Sequence, residues 1–159
     1  MLVLLDRDGV INEDRADFVK SPAELIFIPK ALAAIARLKT HGHKLVVVTN
    51  QSCIGRGIIN DDKLTKIHGK LQDNLAKLSA DLDDILIAPD APWAATDRRK
   101  PGPGMIFEAM RKYHATPRET VFIGDSTRDI EAARSAECHR ILVRTGKGQK
   151  TLAEGLSQH

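Results

Sequence analysis

Short apolar runs alternate along the chain with stretches in which apolar residues return at helical spacing. The runs are Leu2–Leu5, Lys44–Val48, Asp84–Ala88, Val121–Ile123 and Arg140–Val143. Their cores are apolar on successive residues, with no interleaved polar face, which marks strands covered on both sides as in a parallel sheet. Between them, Pro29 opens a helix carrying Leu32, Ile35, Ala36 and Leu38 and ending near Gly42. Asn60 or Asp61 can cap a longer helix with Leu64, Ile67, Leu71, Leu75 and Leu78 on one stripe. Further helices are expected from Pro103 to about His114 and from Thr127 to about Ala136. Strand alternating with helix predicts an α/β domain: one parallel sheet, right-handed crossovers and helices on both faces. The domain is expected over residues 1–145, with 146–159 a Gly- and Lys-rich tail that frays after one weak helical turn.

Polar residues that carry chemistry stand where these runs end. Asp6-Arg7-Asp8-Gly9 follows the first strand and Thr49-Asn50-Gln51-Ser52 the second. Arg99-Lys100-Pro101-Gly102 precedes a helix, and Gly124-Asp125-Ser126-Thr127-Arg128-Asp129 follows the fourth strand. Ligands of parallel sheets sit at the carboxyl ends of the strands, so these clusters are expected to converge there. Alternation along an extended chain points Asp6 and Asp8 the same way and Arg7 away. Two carboxylates held that close repel unless a cation lies between them or one takes a proton, and a hard divalent ion such as Mg2+ resolves the conflict.

Together these residues resemble the four motifs of the haloacid dehalogenase (HAD) superfamily of phosphotransferases, over residues 2 to about 143. The segments Asp6–Asn12, Phe18–Pro22, Thr49–Gly57 and Arg99–Met105 are similar to those of the D-glycero-D-manno-heptose 1,7-bisphosphate 7-phosphatases, with histidinol-phosphate phosphatases as the neighbouring branch. The resemblance implies a Rossmann-like HAD domain and a Mg2+-dependent phosphomonoester hydrolase of the lipopolysaccharide inner-core pathway. No large cap domain fits in this length. In that reading Asp6 is the nucleophile that forms an aspartyl-phosphate, and Asp8 protonates the leaving oxygen and then activates water. Thr49 and Lys100 hold the phosphoryl oxygens. Asp6, the Asp8 carbonyl and Asp125 form the metal site directly, with Asp129 helping through water or by orienting Lys100. Candidates for substrate contact are Arg7, Asp14, Arg15, Asp17, Asn50, Gln51, Ser52, Arg56 and Arg99, with Arg7 read more readily as a solvated or salt-bridged side chain. Arg99 is expected to grip a second anionic group while Lys100 serves the chemistry.

One departure from the family pattern alters the cofactor expectation. Members commonly carry a zinc loop, a Cys-x-His element followed by Cys-x-Cys before the Arg-Lys-Pro. Here those places read Ala88-Pro89-Asp90 and Thr96-Asp97-Arg98. Without thiolates no structural zinc is expected, and Pro89, Pro92 and Trp93 are left to stiffen the loop. The other branches remain alternatives: histidinol phosphate, or a DNA 3'-phosphate, since Thr-Asn-Gln followed by Ile-Gly-Arg-Gly also occurs in DNA 3'-phosphatases. Against DNA stand the few aromatics, 4% of 159 residues, and the lack of a dense basic stripe. A non-enzymatic module would be expected to have lost the nucleophile or the metal acids, and both are retained.

Composition adds bounds. With 42% hydrophobic residues the chain can fill one core, and a net charge of +3 argues for no polyanionic partner. Cys53 and Cys138 lie in unrelated contexts, as in a reducing compartment. No run approaches a membrane span and no signal-peptide pattern is present, so a cytoplasmic monomer acting on a small phosphorylated sugar is expected. The histidines, His41, His43 and His68 among them, show no metal-ligand spacing and are expected at the surface or at helix ends.

Overall fold

The computed structural model describes residues 1–155. Five parallel strands, β1 (Leu2–Leu5), β2 (Lys44–Asn50), β3 (Asp84–Ala88), β4 (Thr120–Gly124) and β5 (His139–Leu142), form one sheet in the order β3-β2-β1-β4-β5. The helices are α1 (Ala31–Thr40), α2 (Ser52–Gly55), α3 (Asp61–Ala76), α4 (Gly104–Lys112), α5 (Thr127–Ser135) and α6 (Gly148–Glu154). The α/β expectation holds, and the central strands β1 and β2 are covered on both faces, whereas the edge strand β5 is largely exposed and corrects the expectation of cover on both sides there.

Side-chain alternation divides the core in two. Leu2, Leu4, Val46, Val48 and Phe122 meet Met105, Ile106 and Ala109 of α4 and Ala132 and Ala133 of α5. Val3, Leu5, Leu45 and Val47 meet Ile35 of α1 and Leu64, Ile67, Leu71 and Leu75 of α3 on the opposite face. Both faces of β1 are therefore shielded from water, and its residues are all buried.

Three elements differ from expectation. Helix α1 starts at Ala31 because Lys30 adopts a left-handed conformation, φ 70°. Leu78 lies beyond the end of α3 and is 47% exposed, so the apolar stripe stops at Leu75. The fraying expected over 146–159 is corrected for 146–154. There α6 forms, and buried Thr151 donates its hydroxyl proton to the Asp125 carbonyl at 2.8 Å. The remainder of that tail, 156–159, lies outside the described residues.

The strand order reverses direction at β1, with β2 on one side and β4 on the other. Such a reversal opens a crevice at the carboxyl ends of the strands. Leu5 pairs with Val47 and with Ile123, so the segments after β1, β2 and β4 emerge side by side. Any ligand seated there meets all three.

Candidate active site

A cavity of about 400 Å3 opens at this edge. At one wall the carboxylates of Asp6, Asp125 and Asp129 bring one oxygen each to within 4.8 Å of one another. Lys100 is buried against them, its Nζ 2.7 Å from Asp129 Oδ1 and 3.1 Å from Asp6 Oδ1, with a further bond to the Val48 carbonyl at 2.9 Å. Those three oxygens match the three protons of the ammonium. Burial alone would discharge the lysine, but Asp129 and Asp6 outweigh it and raise its pKa.

The acids respond unequally to the same surroundings. Burial, followed by repulsion from Asp129, drives the Asp6 carboxyl well above the usual carboxylate range, against the pull of Lys100. Asp129 is lowered instead, since Lys100 overcomes its burial and Oδ2 accepts from the amides of Asp125 and Ser126, each at 3.1 Å. Burial pushes Asp125 up to about 6 despite the Lys147 amide bonded to its Oδ2 at 2.8 Å. One lysine among three carboxylates leaves an excess of negative charge in a dry place, and all the donors are hard oxygens. That combination fits a divalent cation of the Mg2+ type.

Local sequence explains why these acids converge. Ser126 caps α5 and Asp129 answers it in a capping box, so the turn after β4 is held closed by the same carboxylate that faces Lys100. Gly9 (φ +87°) and Gly146 (φ +56°) cross beside Asp125, where an added Cβ would fall 2.0 Å and 2.3 Å from its Oδ2. Only glycine permits both the turn and the approach. Asn50 clasps the Lys100 backbone from both sides, Nδ2 donating to its carbonyl and Oδ1 accepting from its amide, both at 3.0 Å.

Asp8 lies in the same cavity within a separate network. Its Oδ1 accepts from Arg7 Nη2 at 2.8 Å, Arg7 Nε at 3.0 Å and Asn12 Nδ2 at 2.9 Å, and its Oδ2 from Gln51 Nε2 at 3.2 Å. Burial would raise its pKa, but Arg7 and Asn12 prevail and hold the carboxyl below the ordinary value.

Of the residues expected to touch substrate, Asp14, Arg15, Asn50, Ser52, Arg56 and Arg99 line the cavity together with Asp6, Asp8, Lys100, Asp125 and Asp129. Arg7, Asp17, Gln51 and Thr49 do not. Arg7 is 0% exposed and turned away from the cavity into the protein, where its Nη1 lies 3.1 Å from Nε2 of His68, so substrate contact and a solvated side chain are corrected, while the salt-bridged alternative is met by Asp8 at 2.8 Å. Gln51 and Thr49 are buried and bonded to each other at 2.9 Å, and Asp17 is at the surface, paired with Arg15 and Lys20. His68 corrects the expectation of a surface histidine: burial and Arg7 push it down to about 3, leaving a neutral acceptor. The cavity also gathers Phe18, Ser126, Arg128 and Lys147, which sequence reasoning passed over. Arg128 could have been found from its place beside Asp129. Lys147 offered no local signal, since only the packing of α6 brings it there.

The residues in the place of the zinc loop are closed by hydrogen bonds. Asp90 Oδ2 accepts from the Thr96 amide at 2.8 Å and the Thr96 hydroxyl at 2.5 Å, joining the two ends that would otherwise carry ligands. Arg99 Nη1 donates to the Asp90 carbonyl at 3.1 Å, so this closure also sets the direction of Arg99.

Comparisons with known proteins agree with this geometry. A family model described as HAD-hydrolase-like matches residues 97–159. The D-glycero-beta-D-manno-heptose-1,7-bisphosphate 7-phosphatase of Bordetella bronchiseptica is 44% identical over 97% of this chain and 86% of its own length. That of Pseudomonas aeruginosa is 41% identical over 99% and 88%. The crystal structure of the Bordetella bronchiseptica D,D-heptose 1,7-bisphosphate phosphatase complexed with magnesium and phosphate superposes with a TM-score of 0.95, at 43% identity over 98% of this chain and 88% of that one. No helix among the described residues is long and apolar enough to cross a membrane.

Proposed function

This chain is a HAD-like phosphatase of the family that contains those relatives, and on that premise we propose that it removes the 7-phosphate of D-glycero-β-D-manno-heptose 1,7-bisphosphate. The observation that carries the substrate reading is one cavity holding both the Asp6–Lys100 pair and Arg99, a cation that makes no salt bridge among the described residues and feels only the nearby Asp90 as an opposite charge. A substrate with two phosphoryl groups can use both. The magnesium and phosphate held by the Bordetella bronchiseptica relative support the same chemistry.

Asp6, Asp125, Asp129 and the Asp8 carbonyl are the groups that would hold Mg2+, which supplies charge neutralisation at the phosphoryl oxygens. The Asp6 carboxylate attacks phosphorus, the bond to the sugar oxygen breaks, and Asp8 gives that oxygen a proton. The products are the alcohol and an aspartyl-phosphate. Asp8 then takes a proton from water, which attacks the same phosphorus and releases phosphate and free Asp6. Arg7 and Asn12 hold the Asp8 carboxyl below its ordinary value in the free protein, and the negative charge of a bound substrate would push it up again. Once Asp6 is esterified its charge is gone, so the Lys100 proton that served it can turn to a phosphoryl oxygen.

A panel of heptose 1,7-bisphosphate, histidinol phosphate and a 3'-phosphorylated oligonucleotide, assayed with Mg2+, tests the reading. The heptose bisphosphate is expected to exceed the others in kcat/KM by about a hundredfold or more. Arg99→Ala should lower the ratio of its kcat/KM to that of a generic monoester by roughly ten- to a hundredfold, the equivalent of a charge-assisted contact. Preference for either alternative substrate, or an unmoved ratio, would reject it.

The metal requirement is tested separately. Chelation should abolish turnover and Mg2+ restore it, while elemental analysis of the purified protein should find no stoichiometric zinc. One tightly held zinc per chain would contradict the zinc-free loop.

A further inference from the structure

At the rim of the cavity the guanidinium of Arg56 lies over two aromatic rings, its Cζ 5.6 Å from the centroid of Phe18 and 5.2 Å from that of Trp93. Its Nε donates to Ser52 Oγ at 3.1 Å. A guanidinium in contact with two rings and tied at Nε keeps free N–H groups to offer, and these suit the in-plane oxygens of a phosphate. Among the described residues no carboxylate pairs with Arg56. Arg15 and Lys147 of the same cavity, by contrast, are matched by Asp17 and Glu24 and by Asp14. Arg56 and Arg128 both press electrostatically on Arg99, with only Asp90 acting against them, so three cations gather on this side of the cavity.

The stack is assembled by the segment that stands in place of the zinc loop. Gly55 donates its amide to the Pro89 carbonyl at 3.0 Å, and a Cβ there would lie 2.5 Å from that oxygen, so α2 and the loop touch directly. The Asp90–Thr96 closure then carries Trp93 over Arg56. Trp93 is 74% exposed, an unusual place for so large an apolar surface unless its face has a task.

We propose that Trp93 and Phe18 clamp Arg56 as a receptor for the non-reacting phosphoryl group of the substrate, making Trp93 a specificity-determining positioning residue. The inference deepens the bisphosphate reading and rests on it. Stacking removes the rotamer freedom that an exposed arginine would otherwise lose on binding, which is where the gain in affinity arises.

The test uses protein made inactive by Asp6→Asn, so that ligands persist, and exploits the fact that the chain has one tryptophan. Heptose 1,7-bisphosphate should change Trp93 emission, whereas heptose 7-phosphate should leave it nearly unmoved. Adding Trp93→Ala should weaken bisphosphate binding by roughly three- to tenfold relative to the 7-phosphate, measured by calorimetry, and Trp93→Phe should recover most of that loss. Equal losses for Ala and Phe, equal losses for the two ligands, or silent emission on bisphosphate binding would overturn the proposal. Fructose 1,6-bisphosphate and fructose 6-phosphate, run in parallel, separate the two failures. An error in the heptose assignment leaves the Trp93 dependence intact for the fructose pair, while an error in the clamp removes it from both pairs.

Discussion

Asp6→Asn is expected to fold normally and to lose turnover by roughly 10^4- to 10^6-fold, the scale on which removal of a covalent nucleophile acts. An amide oxygen can still accept from the Arg7 amide, which meets Asp6 Oδ1 at 2.8 Å, and from Lys100 at 3.1 Å, so the local geometry has a replacement. What the amide lacks is an anionic oxygen able to form the acyl phosphate. Stability should hold or rise, because burial and the neighbouring acids already disfavour the charge on Asp6, and the substitution removes it. Thermal unfolding and single-turnover assays read the two halves separately. Turnover near that of the unaltered protein would remove Asp6 from the mechanism, and a collapse in stability would show that its charge is structural.

Lys100→Met is expected to act on both catalysis and folding. Lys100 is 2% exposed and its ammonium serves two carboxylates and a carbonyl, so truncation leaves Asp6 and Asp129 buried with no fixed cation. Breaking a buried pair by removing one partner costs about 3–5 kcal/mol. Loss of the positive charge beside the transferring phosphoryl group should lower kcat by roughly 10^2- to 10^3-fold. The two effects part company when metal is added. Mg2+ should recover much of the stability, since it neutralises the same acids, and little of the rate, since it does not replace the lysine proton. Chemical denaturation with and without Mg2+, alongside kcat, measures this. A variant as stable as the parent in chelator would show that the acids have protonated instead of repelling.

The strands and the acids at their ends were legible from the chain alone because burial on two faces demands unbroken apolar runs. The run Leu2–Leu5, buried at every residue, coincides with β1 at both ends for that reason. Asp6, Asp8, Asn50, Ser52, Arg99, Lys100, Asp125 and Asp129 all follow an apolar strand or open a helix, and sheet geometry requires such places to meet. Tertiary structure alone decided where the longer side chains went. Alternation turned Arg7 from the cavity, but only the packing of α3 against the sheet revealed His68 as its inner partner. No local pattern announces that 146–154 folds back on Asp125, because the segment is weakly helical and its glycine is required by a neighbour distant in sequence. The Phe18–Arg56–Trp93 contacts likewise join a loop, the end of α2 and a single 3-10 turn, segments too short to carry a periodicity from which a contact could be read. Local burial patterns are written in adjacent residues and so can be read one strand at a time, whereas the direction of a charged side chain depends on which distant partner satisfies it, and that partner is chosen only when the sheet closes.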